Sequence, residues 1–106
     1  MIDNLPIRLA HRTTIDGLIT MIPEEIPGST SRTSPENLHW MLQRCLAELY
    51  TFPIDKLGRW VGFVQGVLAA CGALDVDAER DRTRGVFHAA YKASGVIVPK
   101  TMQLDN

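Results

Sequence analysis

The sequence predicts an all-α fold: a small bundle of three long antiparallel helices plus a short N-terminal helix, in a single helical domain over residues 1–106. Three observations predict it. Apolar residues recur at the three- and four-residue spacing of one helix face in four segments. Capping or breaking residues bound those segments, among them Pro23, Ser34-Pro35, Pro53, Gly72 and Gly95. The connections between the three long segments are short, which makes sequence neighbours antiparallel.

Residues 1–12 read as irregular, with Leu5, Ile7 and Leu9 alternating with Pro6 and Arg8 as in a short extended segment. The short helix follows. Thr13 or Thr14 caps it, Ile15, Leu18, Ile19 and Ile22 form its apolar stripe, and Pro23 stops it. Residues 23–37, PEEIPGSTSRTSPEN, are the clearest loop, with a Pro27-Gly28 turn and a run of hydroxyls. Ser34-Pro35-Glu36 then starts a helix. Serine caps, proline at the first position loses no needed N–H, and glutamate complements the dipole.

The first long helix should run from about Pro35 to Tyr50, burying Leu38, Met41, Leu42, Cys45, Leu46 and Leu49. Thr51-Phe52-Pro53 breaks the chain. The second should run from Pro53–Asp55 to about Cys71 on a stripe of Leu57, Trp60, Val61, Val64, Val67, Leu68 and Cys71, with Gly72 as its C-terminal glycine. Asp75 caps the third, which carries Val76, Arg80, Thr83, Phe87, Ala90 and Tyr91 along one side and ends near Ser94-Gly95. Val96–Pro99 is expected to pack back as an extended tail and residues 100–106 to fray.

Composition bounds the function. Net charge is −1, which argues against nucleic acid as a bulk electrostatic partner. Duplex DNA binding is not expected, because no basic recognition helix is evident. The apolar run from Trp60 to Leu74 would span only about 22 Å as a helix, short of the roughly 30 Å of a hydrocarbon core. The first twelve residues lack the pattern of a signal peptide. Cys45 and Cys71 fall on apolar faces and are expected as buried free thiols in a reducing compartment. The expected location is the cytoplasm, with no membrane association.

Gly58, Gly62 and Gly66 share one strip of the second long helix. Together they cost roughly 2 kcal/mol of helix propensity, so a return is expected. The first or third long helix lying in the groove of the strip is the first expectation. The sharper alternative is a second copy or a partner protein, with Trp40 and Phe63 beside the strip as interface residues. A backbone surface for a ligand is the third.

The run DVDAERDRTR, residues 75–84, pairs Asp77 with Arg80, Glu79 with Arg82 and Asp81 with Arg84 at i, i+3 spacing, as a solvated face would. Arg80 and Arg84, one turn apart, could instead receive a carboxylate or phosphate. The GSTSRTS loop offers Ser29, Thr30, Arg32 and Ser34 beside a helix N-terminus, the best anion site in the sequence. A flexible polar loop that supplies its own cap has the same composition. His11, His39 and His88 sit on different elements, none at metal-ligand spacing, and are expected as structural histidines. No metal site, cofactor motif or catalytic motif is present, so an enzyme is not expected.

The segments RWVGFVQGVL (59–68) and DVDAERDRTRGVFHAAY (75–91) resemble small proteins encoded by tailed phages and prophages. The resemblance extends over residues 38–91, about half the chain, and contains no catalytic motif. It implies a phage accessory protein in the host cell that binds a host factor or a defence protein. Some proteins of that kind sequester nucleotide signals. Two functions follow as expectations: a protein-binding, homo-oligomeric accessory protein, or a binder of a phosphorylated small molecule.

Overall fold

The computed structural model describes residues 4–96 and contains four helices: α1 (Leu5–Met21), α2 (Pro35–Ala47), α3 (Ile54–Ala70) and α4 (Val76–Ala93). The all-α expectation holds, and no strand occurs among the described residues.

The N-terminal helix is not short. At 17 residues α1 exceeds α2, which has 13, and residues 5–12 are helical rather than irregular. Pro6 lies in the first turn, where its missing N–H has no partner to serve and its fixed φ suits a helix. The buried face runs through Ile7, Ala10, His11, Thr14, Ile15 and Leu18, a helical repeat throughout. Leu5 and Leu9 are exposed, so their alternation with Pro6 and Arg8 is not a strand signal.

α2 starts as the sequence predicts. The Ser34 hydroxyl accepts from the Asn37 N–H at 3.2 Å. It ends at Ala47 instead of Tyr50. Proline at 53 biases Phe52 away from helical geometry, and the Arg8 Nη1 group donates to the carbonyls of Leu49 (2.9 Å) and Phe52 (2.6 Å). α1 thus satisfies the backbone of the α2–α3 turn. α3 and α4 keep their predicted bounds. Beyond α3, the Ala73 N–H reaches the Leu68 carbonyl at 2.9 Å and the Gly72 N–H reaches Ala69 at 3.2 Å, with Gly72 at φ +82°. Beyond α4, Val96 bonds Tyr91 and Gly95 bonds Lys92 in the same way, with Gly95 at φ +79°. Both are Schellman ends, which need the left-handed conformation that glycine adopts at least cost.

The arrangement differs from a three-helix bundle with a helix laid across it. α1 is the hub, packed against α2, α3 and α4, while α3 and α4 do not pack along their lengths. The main core holds Ile15, Leu18, Leu38, Leu42, Leu57 and Leu68, and a second cluster joins Ile7 and Ala10 of α1 to Ala90 of α4. The molecule is only 18 Å thick along its shortest axis, about two helix layers. Val96 packs on the second cluster. The expectations for residues 97–99 and 100–106 lie outside the described residues.

On α4, Phe87, Ala90 and Tyr91 pack inward as expected, and the difference lies in its first half. Val76 is exposed, whereas Glu79 is buried at 7% exposure. Its carboxylate accepts from Arg82 through Nε and Nη2, each at 2.9 Å, and from Gln65 Nε2 of α3 at 2.8 Å. Gly17 of α1 makes room for this cluster, since a Cβ there would fall 2.5 Å from Arg82 Nη1. The Asp77–Arg80 pair forms at 3.7 Å on the exposed side, and the Glu79–Arg82 pair is part of the interior.

Candidate functional site

A cleft of about 500 Å³ lies on the α2–α3 hairpin. Trp40 and Met41 of α2 form one wall, and Arg59, Trp60 and Phe63 of α3 the other. The tryptophan rings lie 5.8 Å apart between centroids and are tilted by 38°. Phe52 meets Trp60 edge-on at 5.5 Å from below the turn. Trp40 is 55% exposed and Phe63 41%, so the cleft presents aromatic surface outward. Helical spacing accounts for this. Leu38, Leu42 and Cys45 turn into the core on α2, and Leu57, Val61, Val64 and Leu68 do so on α3, which leaves Trp40 and Phe63 off both buried stripes.

Arg32 and Asn37 complete the lining. Asn37 Nδ2 donates to the Arg32 carbonyl at 2.6 Å and ties the loop to the first turn of α2. The cleft has stacking surface, two guanidiniums and an amide. Among the described residues that line it, the arginines do not deprotonate in proteins.

The glycine strip divides. A Cβ on Gly58 would lie 4.0 Å from His11 Cε1, so Gly58 faces α1. Gly62 and Gly66 meet nothing within 4 Å. Four-residue steps advance about 40° around a helix, which carries the strip from the α1 side to the outer face beside Phe63 and Arg59. The expectation that the first or third long helix lies in the groove is therefore corrected: the N-terminal helix α1 lies against Gly58, and no described residue covers Gly62 or Gly66.

The anion-site expectation fares differently. The hydroxyls of Thr30, Thr33 and Ser34 are engaged within the loop or in capping α2. Thr33 Oγ1 accepts from the Thr30 N–H at 2.8 Å, Thr30 Oγ1 accepts from the Arg32 N–H at 3.3 Å, and the Ser34 hydroxyl donates to Ser31 while capping α2. Ser29 and Ser34 line one shallow cleft, Arg32 lines the aromatic cleft, and Arg80 lines a third on α3 and α4. Arg84 is exposed on α4. The structure brings Ser29, Thr30, Arg32 and Ser34 into one loop, but it does not join them to Arg80 and Arg84.

His39 and His88 are exposed, whereas His11 is buried edge-on against Phe87 at a centroid distance of 4.9 Å. Its Nδ1 atom has no hydrogen-bond partner. Burial, and then the nearby Arg8 charge, hold its pKa below the ordinary value. Cys45 is buried, and burial pushes its thiol up to about 11. Cys71 is exposed, contrary to expectation, because it lies at the end of α3 where the chain turns away. Among the described residues no group of three or more His, Cys, Asp or Glu could hold a metal ion, and no helix is long and apolar enough to cross a membrane.

Sequence reasoning paired Glu79 with Arg82 but missed the burial of that pair, its Gln65 partner and the Arg8 anchor. A polar residue on a helix whose other face is also polar carries no periodic signal of burial. Gly17, a mid-helix glycine on the path of Arg82, was the one available hint. Comparison of the chain with models of protein families, with curated protein sequences and with solved structures gave no match.

Proposed function

We propose that this protein is a non-enzymatic accessory protein of phage type that acts by binding another protein through the α2–α3 cleft. The observation that carries the reading is the cleft itself: two tryptophans and Phe63 side by side, with arginines around them. Tryptophan and arginine dominate the energetics of protein interfaces, and exposed aromatic groups gathered in one place mark interaction surfaces. The phage setting and the host or defence partner rest on the resemblance of residues 59–68 and 75–91.

Quantitative affinity capture from a bacterial lysate, with wild-type and Trp40→Ala baits, tests this. Trp40 is more than half exposed, so the variant keeps the fold. The reading expects at least one protein retained by the wild type and lost from the variant. Identical captured sets would refute it. Self-association through the outer face of α3 is the second part of the proposal. Sedimentation velocity should show an oligomer for the wild type and a monomer for Gly62→Leu. A wild-type monomer at all concentrations would end that part.

A phosphorylated small molecule is the alternative occupant, favoured by Arg32 and Arg59 beside stacking surfaces. A rise in melting temperature with millimolar nucleotide, absent in Trp40→Ala, would support it.

A further inference from the structure

We infer that the α2–α3 cleft takes an acidic segment of a partner protein, anchored by apolar side chains on Trp40 and Phe63, and not a second copy of this chain. The inference rests on the protein-binding reading of the cleft and adds the partner's charge. Among the described residues the lining holds two guanidiniums, Arg32 and Arg59, and no carboxylate. Two more cations sit on the adjoining aromatic cluster. Lys56 Nζ is 4.1 Å from the Phe52 ring centroid and 5.1 Å from that of Trp60, and the Arg44 guanidinium is 5.9 Å from that of Phe52. The carboxylates paired with these cations are Asp55, 3.7 Å from Arg59, and Glu48, 3.9 Å from Arg44. Four cations thus stand beside two carboxylates, in a chain whose formal net charge is −1.

The Asp55–Arg59 pair has side chains 74% and 70% exposed, so water screens it and Arg59 is readily drawn to a new partner. A two-fold dimer through this cleft would set the surface against itself. Guanidiniums would meet guanidiniums while losing water, which disfavours the contact. An acidic segment reverses the sign. Its carboxylates accept paired N–H bonds from Arg32 and Arg59 while its apolar groups cover the indole rings.

Both tryptophans of the chain line the cleft, so tryptophan emission reports on it alone. The probes are two tryptophan-free amphipathic peptides of about 15 residues. They share one leucine face and carry glutamate or lysine at the polar positions. The glutamate peptide should bind at least about tenfold tighter at low salt, and the advantage should shrink in about 0.5 M salt. The whole chain is slightly anionic, so a general attraction to acidic peptides does not explain that outcome. The double variant Arg32→Glu/Arg59→Glu should invert the preference. Both residues are exposed, which protects the fold. Equal binding of the two peptides, lost from Trp40→Ala when followed through Trp60, would overturn the acidic partner and leave the protein-binding reading standing. Binding of neither peptide would overturn both. A concentration-dependent dimer that Trp40→Ala dissolves would overturn the inference in favour of a second copy.

Discussion

Gly62 and Gly66 sit in the interior of α3, and a Cβ built on either meets nothing within 4 Å. Neither has a positive φ, so alanine fits without strain. Glycine to alanine in a helix interior is worth about 0.5–1 kcal/mol at each position. Each new Cβ lies in open space, so together they should contribute about 1–2 kcal/mol. An unfolding entropy near 2.1 cal/mol/K per residue gives about 0.22 kcal/mol/K for a chain of 106 residues. The Gly62→Ala/Gly66→Ala protein should therefore melt about 4–9 °C higher. Gly17→Ala is the contrast. The same propensity gain is available there, but the new Cβ would fall 2.5 Å from Arg82 Nη1 and 2.8 Å from its Cζ. The guanidinium would have to shift, so the midpoint should rise less than half as far as for the Gly62/Gly66 pair. Thermal melts followed by circular dichroism read both. At a concentration where the chain is monomeric and no second copy covers this face, a lower midpoint for the Gly62/Gly66 pair would refute the reasoning, because a group of the chain itself would then crowd the outer face of α3.

Other consequences follow from the buried polar groups. Burial and Arg8 depress the His11 pKa, so the unfolded chain takes up the proton first as the pH falls. The stability contribution is full above the unfolded value of about 6.5 and is lost as the pH drops toward the folded value, by at most about 1.4 kcal/mol per pH unit. Urea denaturation on either side of that value should show the loss, and His11→Leu should flatten it. Cys71 is exposed and should react with iodoacetamide in the native protein, while Cys45, buried and with its thiol raised to about 11, should react only in denaturant. Mass spectrometry should find one label before unfolding and two after. Glu79→Ala leaves Gln65 and Arg82 without their shared acceptor and should cost roughly 2 kcal/mol in a urea titration. An unchanged midpoint would show that the cluster contributes no net stability.

The sequence by itself determined the helical class and the helix ends whose caps are local. Ser34, Gly72, Asp75 and Gly95 each act within about four residues of the terminus they complete, and each stands where the sequence places it. The exposure of Trp40 and Phe63 was legible for the same reason, since helical period fixes which residues leave the buried stripe. Tertiary structure decided the rest. α1 begins at Leu5 because Ile7 and Ala10 find Ala90, and the carbonyls beyond the end of α2 find Arg8, a residue more than forty positions earlier. Glu79 is interior because Gln65 and Arg82 meet it over Gly17. Gly62 and Gly66 face outward because α1 lies on the Gly58 side of α3. Caps and period are short-range properties of one segment. Which face of a helix another segment covers depends on contacts between residues far apart in the chain, and no local pattern encodes them.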